Sequence, residues 1–371
     1  MNIPATMMVA RMHEVGGPLI IEELETPQPG AYDVLVRVRA CGIVPNLPNI
    51  LANWSKWFPE YPLPPLPAIF GLDPAGEIVA VGEDVLGFQV GQRVYVNPGR
   101  SCGTCDACVS NDQVSCQYYT FNGYFGHTSL SWKVFERYPY AGFGQYMTAP
   151  VSALVKIPDS MSYDEAARLG YIGTAYSGLK KGKVKVTSTV LINGASGTLG
   201  LSGVLCALAM GARKVLGTGR DRELLAAVKA IAPDRIDIFS TLDGSITDWV
   251  RAQTNGNGAD VVLDCLGPGT PPEVFLEGLE SLARGGVLVN VGAVQGETPI
   301  KLHHLTTANR ALLGSNWFST QEGCELAALA ETGALDMSVF EHQAHPLDMI
   351  NQAISGLTSR KGGFTNFVIR P

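Results

Sequence analysis

No stretch of this 371-residue chain carries a block of basic residues, and its 27 Lys and Arg are outnumbered by 34 Asp and Glu, a net charge of −7. Nothing in it would neutralise a phosphate backbone, so nucleic acid is excluded as an expected partner. Charge of either sign is sparse at 16%, while hydrophobic residues make up 46%. That composition excludes both disorder and collagen-like order and fits an ordinary globular chain of about two domains. An export signal is missing too: Met1 to Gly17 reaches Arg11 and Glu14 before any apolar run of signal-peptide length. The expected location is the cytoplasm. One uncharged run, Val186 to Ala212, is long enough to cross a bilayer. Asn193, Ser196 and the glycines 194, 197, 200 and 203 within it fit a buried strand, a tight turn and a helix better, so no membrane contact is expected.

What the chain does have is cysteine in an uneven distribution. Four of its eight fall together, Cys102, Cys105, Cys108 and Cys116, and Cys41, Cys206, Cys265 and Cys324 are scattered. Gaps of two, two and seven residues let one short loop wrap a single ion, and four thiolates match tetrahedral zinc. A disulfide pair is the competing reading, but a cytoplasmic chain argues for metal. With every position taken by sulfur, this zinc is structural.

Glycine is the second resource. The run Thr189 to Asn193 reads as a strand, followed by Gly194-Ala195-Ser196-Gly197-Thr198-Leu199-Gly200 and an apolar helix to Met210. Such a turn lets backbone approach a pyrophosphate, which the helix N-terminus receives. A second strand, Lys214 to Thr218, ends about twenty residues past the turn, where a dinucleotide fold reads the adenosine ribose. An NAD site normally places a carboxylate there, whereas this chain has Gly217-Thr218-Gly219-Arg220. The missing carboxylate and the Arg220 guanidinium favour NADP(H). Alternatively Arg220 is a solvated charge, and Asp221 merely caps a helix over 222–231. Strands over 260–267 and 286–292, with a helix over 273–283 between them, extend the alternation into a doubly wound parallel sheet. Ligands bind outside the carboxyl ends of such strands, which brings Cys265, Leu266 and Gly267 and Val291, Gly292 and Ala293 toward the nicotinamide half.

With the zinc loop, glycine turn and strand ends assembled, the sequence resembles the medium-chain dehydrogenase/reductase superfamily, that of the zinc alcohol dehydrogenases, over nearly its whole length. Matching stretches are Val34 to Gly42, Gly71 to Gly82, Gly91 to Val94, Gly142 to Tyr146 and Lys361-Gly362-Gly363. The resemblance implies an α/β Rossmann domain (159–317, with Thr174 also near the cofactor) inserted into a β-rich GroES-like catalytic domain. That second domain is built from 1–158, with the zinc lobe, and 318–371. It also implies a homodimer or homotetramer and an active site in the interdomain cleft.

Departures from the family pattern decide the expected chemistry. By register the positions of the three catalytic zinc ligands hold Val44, Leu72 and either Gly170 or Tyr171, and none of the six His falls at a matching position. No catalytic zinc is expected. Without that Lewis acid, oxidation of simple alcohols becomes harder, but hydride donation to a polarised C=C, C=N or C=O bond of a small molecule does not need it. Tyr171 is the first candidate proton donor, or else an aromatic filling the vacated space. Asn46, at the family's hydroxyl position, could bond a carbonyl oxygen, and Asp73 is either a lone acid or a structural carboxylate bonded within its own loop. The aromatic segments 53–58 and 117–140 are expected to shape a substrate pocket, the second alternatively a dimer contact. An alcohol dehydrogenase with unconventional catalysis and a non-catalytic NADP(H)-binding scaffold are the other readings.

Overall fold

The structure is a computed structural model and describes residues 3–371. Its nucleotide-side sheet has six parallel strands in the spatial order Ile236–Ser240, Lys214–Gly219, Thr189–Asn193, Ala259–Asp264, Leu282–Asn290 and Ala311–Gly314. The chain reverses its direction of winding at Thr189–Asn193, so the crevice for a ligand opens above that strand's carboxyl end. All five residues of this strand are buried. The helix after it, Thr198–Ala209, is buried along most of its length and packs against a second helix, Leu169–Lys181. That double burial accounts for the long uncharged run: its residues form a core strand and a core helix. Among the described residues no helix is long and apolar enough to cross a membrane.

The expected helix over 273–283 is Pro272–Glu280, and the strand that follows begins at Leu282 rather than 286. Leu282 pairs with Ala259, and the register then shifts before Val261 meets Val287. The irregularity spans Gly285, whose φ of 77° suits glycine.

The catalytic-side sheet has seven strands. Asp33–Gly42 lies at its centre, paired antiparallel with Asp73–Val81, with Tyr146–Pro150 and with the C-terminal Thr365–Arg370. Chain from both sides of the nucleotide sheet therefore builds one GroES-like sheet. The two halves also meet directly: the Gly363 N–H donates to the Ser196 carbonyl at 2.8 Å, which seats the C-terminal loop on the glycine turn.

Candidate functional site

The four clustered thiols lie within 4.8 Å of one another, none in a disulfide. The Sγ separations Cys105–Cys108 and Cys102–Cys108 are 3.6 and 3.9 Å. They bracket the ~3.8 Å edge of a tetrahedron with Zn–S bonds near 2.3 Å, so the donor set fits zinc. Backbone N–H groups point at the sulfurs: Cys105 N donates to Cys102 Sγ, and Cys102 N and Tyr118 N donate to Cys116 Sγ, each at 3.4 Å. Hydrogen bonds from the Thr104 and Cys105 backbone pull the Cys102 thiol down to about 6, toward the thiolate that a metal binds. Burial pushes Cys116 up to about 12, a cost that a bound cation would reverse.

The glycine turn is shaped as a dinucleotide requires. Gly194 has φ of 87°, and a Cβ at Gly200 would lie 2.0 Å from the Gly194 carbonyl oxygen, so helix and strand approach this closely only without side chains. Gly197 is the N-cap and gives the helix no side-chain acceptor. The N–H groups of Thr198, Leu199 and Gly200 are left to an external anion. Ser196 and Val291 are half-buried beside the crevice, and Gly267 and Ala293 are exposed at the strand ends.

Three residues proposed for cofactor contact have their side-chain chemistry committed elsewhere. The Thr218 hydroxyl is fully buried and donates to Asn193 Oδ1 at 2.7 Å. Thr174 Oγ1 donates to the Gly170 carbonyl at 2.8 Å. Leu266 turns into a second hydrophobic cluster with Leu191, Leu216 and Val262. These positions can offer a cofactor backbone or shape only. Gly217 and Gly219 pack against Ala195 Cβ and Ser196 Oγ, each at 3.0 Å from where a Cβ would lie. Beyond them Arg220 is exposed and, among the described residues, in no ion pair. Asp221 does cap the next helix, Arg222–Ile231, accepting from Glu223 N and Leu224 N. Its carboxylate is thereby engaged with the helix N-terminus.

The positions matched to catalytic metal ligands are apolar. Val44 and Leu72 are buried in the main core. Of the two alternatives for the third position, Gly170 is the one packed directly on Asp73: a Cβ there would lie 2.1 Å from Asp73 Oδ1. Asp73 is 1% exposed and accepts a 2.8 Å hydrogen bond from the Tyr95 hydroxyl. Its partners Tyr95 and the Gly170 N–H lie on other elements, which corrects the expectation of a carboxylate bonded within its own loop. Burial pushes this carboxyl up to about 7, against the pull of Tyr95, of the Arg168 charge and of the Gly170 N–H. Cys41 lies within electrostatic reach of it, and burial raises that thiol well above its usual range.

Arg168 and Tyr124 went unmarked as site residues in the sequence. Arg168 is 3% exposed, its guanidinium 5.5 Å from the Tyr171 ring centre and 5.0 Å from that of Phe340. Its Nη2 donates to the Gly363 carbonyl at 2.7 Å. A lone arginine entering the apolar helix Leu169–Lys181 was the available signal. Tyr171 is half-buried, and burial raises its hydroxyl pKa. Tyr124 stands close enough to influence its ionisation and is within hydrogen-bonding reach of Asn46. Asn46 begins the helix Leu47–Trp57 and accepts from Asn49 Nδ2 at 2.9 Å. Tyr171, Tyr124, Asn46, Arg168 and Asp73 thus form one neighbourhood.

The two aromatic segments join. Trp54 stacks on Phe125 with ring centres 4.1 Å apart, and Phe125 and Trp317 both contact Phe121, at 5.3 and 4.7 Å. His127 sits among these rings, paired with Asn316 Nδ2 at 2.8 Å and lowered by burial to about 4. It is neutral at physiological pH.

A parallel dinucleotide sheet carrying a glycine turn, set into a GroES-like domain with a four-cysteine lobe, defines a two-domain dehydrogenase. Comparison with known proteins agrees. Residues 30–159 match the alcohol dehydrogenase GroES-like domain, and residues 198–332 the zinc-binding dehydrogenase domain. The chain is 31% identical over 309 residues to a quinone oxidoreductase-like protein 2 homolog of Nematostella vectensis, covering 82% of this chain and 71% of that one. It is 29% identical over 347 residues to an alcohol dehydrogenase of Geobacillus stearothermophilus, covering 93% and 94%. The crystal structure of AibC superposes with a TM-score of 0.83 at 30% identity, covering 99% of this chain and 96% of that one. The chain belongs to the medium-chain dehydrogenase/reductase superfamily and is an oxidoreductase of its zinc-type alcohol dehydrogenase and quinone oxidoreductase-like branch.

Proposed function

We propose that the protein is an NADPH-dependent reductase of a polarised C=C, C=N or C=O bond in a small, planar or aromatic substrate, working without a catalytic metal. The observation that carries this reading is the Asp73 carboxylate at 2.1 Å from where a Gly170 side chain would begin. Position 170 therefore admits no ligand side chain, and Val44 and Leu72 at the other two ligand positions carry no donor atom. Bound NADPH would supply the hydride. The N–H groups of Thr198, Leu199 and Gly200 would hold its pyrophosphate, and Arg220 would pair with the 2′-phosphate. Tyr171 is the proton donor of this reading, with Tyr124 and Asn46 as further hydrogen-bond donors toward the substrate oxygen or nitrogen. Trp54 and Phe125, the half-buried members of this ring cluster, favour a flat substrate.

One structural zinc per chain, domain limits at residues 158 and 317 and a cytoplasmic homo-oligomer complete the proposal. For the last, the support is the edge strand Ala311–Gly314, which leaves Leu313 39% exposed. The deciding experiment follows NADPH oxidation against a panel of enones, iminium ions and ketones, with product identification and zinc counted by mass spectrometry. Turnover of one class at about one zinc per chain supports the proposal. Two tightly bound zincs, or no turnover of any class, overturn it.

A further inference from the structure

A cleft on the zinc lobe lies apart from the catalytic neighbourhood: none of Asn46, Asp73, Tyr124, Arg168 and Tyr171 lines it. Its volume is about 570 Å³, within the range of small-molecule sites. Its walls come from the zinc loop, the helix Trp132–Arg137 and the start of the helix Thr320–Glu331. In a chain of net charge −7 the Lys, Arg, Asp and Glu lining of this cleft is all cationic, Arg100, Lys133 and Arg137 with no Asp or Glu among the described residues, while Cys102 and Cys108 of the zinc loop close one wall.

Arg100 is the second, independent observation. It is 3% exposed, and only its Nη1 has partners, the carbonyls of Asn97 and Gly99. Its Nε and Nη2 are buried and donate to nothing, and the buried hydroxyl of the neighbouring Tyr119 is also unpartnered. Burying unmatched guanidinium and hydroxyl donors is costly. The carboxylate with electrostatic influence on Arg100 is Asp33, which accepts from the Tyr138 hydroxyl at 3.1 Å and does not line the cleft. Thr320 and Gln321, the first two residues of a twelve-residue helix, lie on the same wall; that helix end is already closed by a Ser319–Glu322 capping box and adds no free donor.

We propose that this cleft binds a small organic oxyanion, a phosphate ester or a carboxylate, whose charged group is held by Arg100 and the Tyr119 hydroxyl, with Lys133 and Arg137 at the rim. Guanidinium pairs readily with both groups through charge-assisted hydrogen bonds. The site is independent of the dinucleotide crevice and of the proposed reduction.

Zinc-loaded protein saturated with its nicotinamide cofactor is titrated calorimetrically with phenyl phosphate and, separately, benzoate. Saturation keeps the pyrophosphate site from answering for the cleft. The proposal expects at least one probe to bind and its affinity to fall about tenfold in Lys133→Ala/Arg137→Ala, whose positions are exposed, with an unchanged melting temperature. Arg100→Gln should abolish binding, and the rim variant keeps the test open should Arg100→Gln fail to fold. The better probe identifies the anionic group. Absence of binding by both probes, binding indifferent to the rim variant, or a rim variant that instead changes the oligomeric state overturns the proposal.

Discussion

Asp73 and Gly170 are matched so closely that any side chain at position 170 collides with the carboxylate: a Cβ would lie 2.1 Å from Oδ1. Both neighbours of that carboxylate, Tyr95 and the helix carrying Gly170, are buried and cannot give way cheaply. Gly170→Ala should therefore destabilise the fold by about 1–3 kcal/mol. Asp73→Ala in the same background should recover part of that loss. Urea denaturation of both single variants and the double variant measures the coupling, and strict additivity would show that the two positions do not compete for space.

The same carboxyl sets a pH dependence. Its folded pKa of about 7 lies above the ordinary value of 3.8, so between these values the native state holds a proton that the unfolded chain releases. Asp73 therefore contributes stability that is complete below about pH 4 and is lost as pH rises through about 7. Asp264, buried beside Asn193 and also raised to about 7, acts in the same direction. Denaturation free energies from pH 4 to 8 should fall less steeply in Asp73→Asn than in the wild type.

Arg220→Ala should lower the ratio of specificity constants, NADPH over NADH, by about tenfold or more, the worth of one charge-assisted contact. Steady-state kinetics with each cofactor checks this. A wild-type preference for NADH would remove the premise.

Tyr171→Phe should reduce kcat by about 100-fold if its hydroxyl delivers the proton, with little change in KM for the cofactor. An unchanged kcat would leave Tyr171 as an aromatic filler and shift attention to Tyr124. Comparing the pH profiles of the two phenylalanine variants separates these roles.

Cys105→Ser should take zinc from about one per chain to near zero and lower the melting temperature, as expected for a closed structural site. Elemental analysis beside calorimetry reads both. Retained turnover per folded molecule would fit a metal that holds the lobe and takes no part in the chemistry.

The dinucleotide half was legible because its information is local: buried β-branched runs such as Thr189–Asn193, a glycine turn and a helix follow one another along the chain. The Leu282 strand start was not, because a cross-strand partner, Ala259, determines it. Thr218 has the right place for a ribose contact, yet its hydroxyl is held by Asn193, a pairing no local pattern records. At the catalytic neighbourhood the sequence revealed what replaced the ligands but not what filled the space. Tyr95, Asp73 and Arg168 come from three separate elements and acquire meaning only when packed together. Arg100 was invisible for the same reason: a single arginine in a short two-residue strand reads as surface until its donors are found buried.

The pairing of Thr365–Arg370 with Asp33–Gly42 also orders events on the ribosome. The nucleotide sheet is synthesised as one continuous stretch and can form while translation continues. The central catalytic strand gains Tyr146–Pro150 along Asp33–Arg37 early, but on that edge its Cys41–Gly42 end stays unpaired until Thr365–Arg370 emerges. Until then that strand end presents unpaired backbone groups, a local opening for non-native pairing in the nascent chain.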